Sequence, residues 1–369
     1  MVRKKVIFVG SFKEKAADGS VGGQMFACRT LVHSILKDKI DFILIDSTAA
    51  SVPVPPPYKR VWKAISRIFI LINRLFINKV DTAIIFSADG WSLKEKGLMV
   101  LITKLFKVKV VFAPRSGLIL DEVAKSAFSK YLLRLVIHRA DIVICQGNTW
   151  RDFFIQFEPE MPQKFKSLIN WIDTQKYQIV YEQRLKKQER LTTGVIKLLY
   201  LGWLEPYKGI SDFFQTFDRL LKAGYKVEAD IYGAGSLSTV VSLQANSLGI
   251  EDRFRLRGWA NEAIKLKALE EADIFILPSY AEGIPNAVIE AMASGLPCIS
   301  SNVGGVPDLI EHQVNGLIFN AGNVDELYQC IVQLYENKLK RSLMGQQAYQ
   351  FIQTHCSIEH AVNYFGTIL

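Results

Sequence analysis

Ala272-Asp273-Ile274-Phe275-Ile276-Leu277-Pro278-Ser279, followed after two residues by Glu282-Gly283-Ile284-Pro285-Asn286-Ala287-Val288-Ile289-Glu290-Ala291-Met292-Ala293-Ser294-Gly295, is the stretch whose reading decides the fold. Its first part reads as a short core strand, and the pattern from Ala287 to Ser294 as a helix stopped by Gly295 and Pro297. A strand that leads through a Gly/Pro loop into a helix aims backbone N–H groups and a helix N-terminus at a sheet's carboxyl edge. Anions, phosphates above all, bind there. Glu282 falls in the loop, and Glu290 is expected two turns into the helix. Two carboxylates so spaced can grip two parts of one elongated ligand, and their oxygens accept hydrogen bonds from sugar hydroxyls.

The same strand–helix alternation runs outward in both directions. Val6–Val9, Phe42–Asp46, Thr82–Phe86, Val108–Ala113 and Ile142–Cys145 read as strands in the front half. Lys197–Leu201, Val227–Tyr232, Phe254–Arg257, Ile274–Leu277, Cys298–Ser300 and Gly316–Phe319 read as strands in the back half. Short runs rich in Val, Ile and Phe, separated by helical patterns, predict parallel, doubly wound sheets. At 369 residues the chain exceeds a single core's usual reach, so two domains are expected. The polar Lys/Gln/Glu-rich stretch 173–195 reads as the linker between a front domain, 1–172, and a back domain, 196–356.

Composition narrows the function classes. Half the chain, 49%, is hydrophobic and mean hydropathy is +0.14, which excludes a disordered chain. Five cysteines (Cys28, Cys145, Cys298, Cys330, Cys356) lie scattered with no CxxC pair, which argues against a disulfide framework or a zinc site and suits a reducing compartment. Met1 to Lys5 lead directly into the first strand pattern, and no uncharged apolar run nears the roughly 18 residues of a membrane span. A cytoplasmic protein is expected. Residues 1–170 hold 27 Lys and Arg against 14 Asp and Glu, so the basic excess belongs to the front half and points to an anionic partner. No nucleic-acid-binding motif accompanies it.

Three further loops follow predicted strands. Leu201-Gly202-Trp203-Leu204-Glu205-Pro206-Tyr207-Lys208-Gly209 opens a helix near Ile210. Asp18-Gly19-Ser20-Val21-Gly22-Gly23-Gln24-Met25 can bring backbone close to a phosphate ahead of a helix from Met25 to about Leu36. Gly10 is not followed by the G-x-G-x-x-G spacing, which disfavours a nicotinamide enzyme. Phe112-Ala113-Pro114-Arg115-Ser116-Gly117 places an arginine after the fourth strand, and its planar fork suits phosphate or carboxylate. None of the five histidines stands in a catalytic context; His138-Arg139-Ala140-Asp141 reads as a helix end.

These residues resemble retaining glycosyltransferases of family 4, which have the GT-B fold and an E-x7-E signature, here Glu282 and Glu290. The resemblance continues through Gly295-Leu296-Pro297-Cys298-Ile299, Val303-Gly304-Gly305-Val306-Pro307-Asp308 and Asn315-Gly316-Leu317. It is strong over about 197–320 and weaker in front. It implies two Rossmann-like domains facing each other across a cleft, with a last helix, 357–369, crossing back to the front domain. The implied reaction transfers a sugar from a nucleoside diphosphate sugar, UDP before GDP, to an acceptor hydroxyl with retention.

In that implied site Glu282 holds donor-sugar hydroxyls and Glu290 the ribose. Gly283, Ile284, Pro285 and Asn286 supply loop amides, and Lys208 stabilises the leaving diphosphate. Gly202, Trp203, Gly233 and Gly258 lie beside the nucleotide, and Gly22 and Gly23 face its phosphates. No metal, cofactor or protein nucleophile is needed, since the departing phosphate takes the acceptor's proton. Arg115 stands where many relatives have a histidine and is expected to touch donor phosphate or an anionic acceptor. Trp203 stands where relatives have an arginine, and Trp171 where their Asn-Gly-Val-Asp turn has its glycine. These departures leave open a catalytically silent GT-B protein that binds nucleotide or carbohydrate and supports a partner enzyme.

Between Tyr58 and Lys79, Arg60, Lys63, Arg67 and Arg74 recur at helical spacing, with Val61, Ile65, Ile68, Phe69, Ile72 and Phe76 opposite. This reads either as a helix resting on anionic lipid to reach a lipid-linked acceptor, or as a core-packed helix with a solvated basic face.

Overall fold

The computed structural model describes residues 3–13, 23–48, 56–188 and 194–369. The chain divides into two units, Met1–Ile172 with Ile358–Leu369, and Asp173–Ser357.

The first unit is built on six parallel strands: β1 (Lys4–Gly10), β2 (Ile40–Asp46), β3 (Thr82–Ser87), β4 (Lys109–Pro114), β5 (Ile142–Cys145) and β6 (Phe165–Ser167), in the order β2-β1-β3-β4-β5-β6. Beside it lie α1 (Gly23–His33), α2 (Pro57–Ile77), α3 (Trp91–Leu105), α4 (Leu118–Lys125), α5 (Ala127–Arg139) and α6 (Asn148–Phe157). Strand order reverses between β1 and β3, the topological switch point. β6 has only three residues and too little pattern to be read from the sequence. His138 does end a helix, α5, and pairs with Glu158 at 3.0 Å.

The second unit has six parallel strands: β7 (Ile196–Leu201), β8 (Val227–Tyr232), β9 (Phe254–Gly258), β10 (Ile274–Leu277), β11 (Cys298–Ser301) and β12 (Gly316–Phe319), in the order β12-β11-β10-β7-β8-β9. Its helices are α7 (Thr174–Gln188), α8 (Ile210–Lys222), α9 (Ser238–Ser247), α10 (Glu262–Glu271), α11 (Asn286–Ala293), α12 (Val324–Glu336) and α13 (Lys338–His355). Its switch point lies between β7 and β10, which pair at Leu198↔Ile274 and Leu199↔Phe275. Both sheets are near-continuous runs of Ile, Leu, Val and Phe because helices cover both faces. The last helix, α14 (Ile358–Ile368), belongs to the first unit. Phe365 packs edge-on to Trp171 at 5.8 Å, and Lys4 and Lys109 cap its end by donating to Leu369 and Ile368 carbonyls.

Three expectations need correction. The stretch read as a linker forms α7, with Tyr177, Val180 and Arg184 buried at helical spacing. The Arg184 guanidinium caps α10 by donating to the carbonyls of Leu269, Glu270 and Ala272. A stripe this narrow is invisible in an average over so polar a segment. The helix after the glycine pair ends at His33, earlier than expected, and a 3-10 turn, Ile35–Asp38, takes over from the Ser34 cap.

Third, the faces of α2 are not those read from its charges. Leu71 and Leu75 are buried, Arg67 donates to Glu95 of α3 at 2.6 and 2.9 Å, and Arg60 lies over Trp91. Two of the four basic residues therefore line the packed side, because the buried Glu95 carboxylate must be paired. The apolar ridge faces solvent instead: Trp62, Phe69 and Phe76 are 72, 75 and 74% exposed, with Tyr58 and Ile65 beside them.

Candidate functional site

At the β7/β10 switch point two loops meet. The β10 loop bears Glu282, and the β7 loop bears Lys208. Lys208 Nζ lies 2.7 Å from Glu282 Oε1, with the side chains 16 and 8% exposed. Ser279 Oγ donates to the same oxygen at 2.6 Å. Tyr280 N–H donates to the Tyr207 carbonyl at 2.8 Å, tying loop to loop. The local sequence requires this closeness. Gly209 has φ +67°, and a Cβ on it would stand 1.9 Å from the Pro278 carbonyl oxygen. Gly304, φ +52°, brings the β11 loop equally close to the Glu282 carbonyl, and Gly305 N–H donates to the Gly283 carbonyl at 2.7 Å. Only glycine combines left-handed backbone with that approach.

Tyr200, buried beneath the pair, donates its hydroxyl to the Trp203 carbonyl at 2.8 Å. Burial, then the nearby Glu282 carboxylate, pushes its phenol far above its ordinary value, so it serves as a donor and not as a base.

α11 starts at Asn286 behind Pro285, with no side-chain cap, so Glu290 sits one turn in, not two. Its Oε1 accepts from Lys265 Nζ of α10 at 2.6 Å. Tyr177 of α7 is buried against it, its phenol raised by burial first and the Glu290 charge second. Gly202, Gly233 and Gly258 are drawn together at the ends of β7, β8 and β9: Gly202 N–H donates to the Tyr232 carbonyl at 3.0 Å, and Gly233 N–H to the Gly258 carbonyl at 2.9 Å. Trp203 packs on Trp259, ring centroids 4.8 Å apart and planes tilted 44°.

The sequence reading therefore assembles: Glu282, Lys208, Gly202, Trp203 and the Gly283–Asn286 loop share one sheet edge with Glu290 in the helix behind. Ser279, Lys265, Tyr177 and Tyr200 were missed. Ser279 lay within the quoted strand end, but Lys265 and Tyr177 come from helices without a motif, and only packing reveals them. Among the described residues no group of three or more His, Cys, Asp or Glu could hold a metal ion. A lysine-bearing loop beside a helix N-terminus without a side-chain cap is an arrangement that suits an anion chemically.

In the first unit, Gly23 begins α1, whereas Gly22 lies outside the described residues. Arg115 follows β4, and its N–H donates to the Ser87 carbonyl at 2.7 Å. Its guanidinium lies between two rings, 4.7 Å from the Phe86 centroid and 5.0 Å from that of Trp171. Both terminal nitrogens are buried without a hydrogen-bond partner among the described residues.

Comparison with known proteins gives this site a context. Residues 182–351 match the family model of the glycosyl transferases group 1. The N-acetyl-alpha-D-glucosaminyl L-malate synthase of Bacillus anthracis is 26% identical over 243 residues, 64% of this chain and 61% of that protein. The UDP-Gal:alpha-D-GlcNAc-diphosphoundecaprenol alpha-1,3-galactosyltransferase of Escherichia coli is 24% identical over 217 residues, 57% of this chain and 53% of that protein. The chain thus spans little more than half the length of these relatives. Anabaena HepE, solved with UDP and glucose, superposes with a TM-score of 0.74 at 17% identity, covering 99% of each chain. At that identity the likeness establishes the fold. The chain has the two-domain α/β fold of GT-B glycosyltransferases, and residues 182–351 of its second unit are similar to the glycosyl transferases group 1.

Proposed function

We propose that this protein is a retaining glycosyltransferase of family 4 that moves a sugar from a nucleoside diphosphate sugar, UDP-linked in first place, to an acceptor hydroxyl. The carrying observation is the Lys208–Glu282 pair at the second sheet's switch point, inside the segment matched by the family model. In this reading the Gly283–Asn286 amides and Lys208 receive the diphosphate, Glu290 the ribose and Glu282 the sugar hydroxyls. The bond from the anomeric carbon to the phosphate oxygen breaks, and the bond to the acceptor oxygen forms on the same face. The acceptor proton passes to the departing phosphate, and Lys208 offsets the charge that develops there without a bound metal. Gly202, Gly233 and Gly258 bring main chain to the nucleotide, and Trp203 and Trp259 offer it ring faces.

The acceptor in this reading is a carbohydrate or lipid-linked saccharide of cell-surface polymer or glycolipid assembly. UDP bound to HepE and the diphosphoundecaprenol acceptor in the name of the Escherichia coli relative support that choice of class. The exposed ridge of α2 fits it as well. Trp62, Phe69 and Phe76 beside Lys63 and Arg74 suit an anionic bilayer at the inner face of the membrane.

The test is UDP-dependent thermal stability together with turnover of UDP-sugars. Glu290→Ala is expected to abolish the UDP shift. Glu282→Ala is expected to lower turnover with UDP binding kept. Small, equal effects from both would contradict the assigned roles. The second reading is a silent nucleotide-binding protein. It rests on Trp203, engaged with Trp259 where relatives have an arginine, and a UDP shift without turnover of any donor selects it.

A further inference from the structure

The first unit has a switch point of its own, between β1 and β3, and a cation stands beside it. Arg115 folds its guanidinium over Phe86 of β3 and under Trp171, near Cys28 of α1, whose sulfur would stand 2.6 Å from a Cβ on Gly10 of β1. Phe86 is fully buried and Trp171 is 1% exposed. Neither Arg115 Nη1 nor Nη2 touches solvent, and neither meets an acceptor among the described residues. Among the described residues the charge-bearing group close enough to act on it is the Cys28 thiol. Burial raises that thiol to about 12, so it is neutral at pH 7. Burial lowers the guanidinium to about 10, which still leaves it protonated at pH 7. Cation–π attraction from the two rings offsets only part of the cost of withdrawing the ion from water. Five N–H donors in a fixed fork are held at a carboxyl edge with their terminal acceptors missing.

The geometry points to an oxyanion subsite in the first unit, in which Arg115 receives a phosphate or carboxylate oxygen of a bound substrate. The rings hold the cation at the edge in the ligand-free protein, and the arriving anion supplies the missing charge and acceptors. Contact requires one ring to shift or the arginine's outer dihedrals to turn toward the edge. The subsite stands on the first unit alone and does not depend on the donor reading of the second.

Melting of the full chain is measured in inorganic phosphate and in chloride at matched ionic strength, for the wild type, Arg115→Met and Arg115→Lys. The wild type is expected to gain roughly 3–6 °C at about ten times the phosphate dissociation constant. Arg115→Met, which keeps the shape and removes the uncompensated charge, is expected to melt no lower than wild type in chloride and to lose the phosphate shift. Arg115→Lys is expected to keep part of the shift. A wild type indifferent to phosphate, or an Arg115→Met protein that misfolds, melts several degrees lower or still responds, overturns the proposal and leaves Arg115 as structural cement between two rings. A UDP titration then assigns the source. A UDP shift weakened by Arg115→Met makes the anion the donor's diphosphate; a UDP shift kept while the phosphate shift is lost makes it a group on the acceptor. Should UDP not bind at all, the phosphate arm still decides the subsite.

Discussion

Breaking the Lys208–Glu282 pair one partner at a time tests whether the two loops are held by charge or merely meet. Nζ and Oε1 stand 2.7 Å apart on side chains 16 and 8% exposed. Removing one partner of a buried pair typically costs about 3–5 kcal/mol, mostly through the charge left behind. The partial opening of Lys208 lets water reach its ammonium, so the lower end, about 3 kcal/mol, applies to Glu282→Gln. Ser279 can still donate to the amide oxygen there. Lys208→Met leaves the carboxylate with the Ser279 hydroxyl donating to it and is expected to cost a similar amount. For a unit of about 185 residues (Asp173–Ser357) each kcal/mol moves the melting temperature by about 2–4 °C, so each single variant should lose roughly 6–12 °C. The double variant is expected to lose markedly less than the sum, with a coupling of about 1.5–3 kcal/mol. Differential scanning fluorimetry of the four proteins supplies the cycle. Additivity within about 0.5 kcal/mol would refute the argument and make the contact a product of loop placement alone.

Two other perturbations separate backbone from charge and lipid from solvent. Gly304→Ala sets a Cβ against the Glu282 carbonyl and should cost at least about 2 kcal/mol, whereas Gly224→Ala, also at positive φ (+85°) but with nothing within 4 Å, should cost about 1; equal melting temperatures would remove the close-approach argument. On α2, binding to vesicles containing anionic lipid should fall more than tenfold in Phe69→Glu or Trp62→Glu, since each inserted ring contributes about 2 kcal/mol, and less in Lys63→Glu. Absence of wild-type binding, or indifference to Phe69→Glu, sinks the membrane reading, and a dimer dissolved by Phe69→Glu gives the ridge to a second copy.

The sheets and the placement of the second unit's candidate residues were legible because each depends on local pattern. Buried parallel strands must be apolar throughout, and a loop that closes on its neighbour must place glycine where a Cβ would collide, as Gly209 and Gly304 do. What escaped depends on partners far away in sequence. Lys265 earns its position only through Glu290, and Arg67 only through Glu95, a carboxylate 28 residues on. The same physics misled the reading of α2. A helix apolar on much of its circumference offers the core several faces, and its charges do not say which one the neighbouring helix will take. α7 is the converse case, in which the buried side chains of Tyr177, Val180 and Arg184 outweigh a polar composition.

The two switch points handle cationic charge in opposite ways, and this has a consequence for anion binding. Lys208 already has a carboxylate partner, so a phosphate arriving there must compete with Glu282, and part of its attraction is spent on separating the pair. Arg115 has no carboxylate partner among the described residues, so an anion there gains the full charge-assisted bond and also relieves an uncompensated burial. Affinity for a simple anion should therefore reside chiefly in the first unit. Affinity for a nucleotide should reside in the second, where sugar and base contacts add to a phosphate contact that is weak by itself. Glu290→Ala should therefore silence UDP while sparing inorganic phosphate, and Arg115→Met should silence phosphate, with its effect on UDP assigning the source of the anion. Loss of the phosphate response in Glu290→Ala would mean that one site had been counted twice.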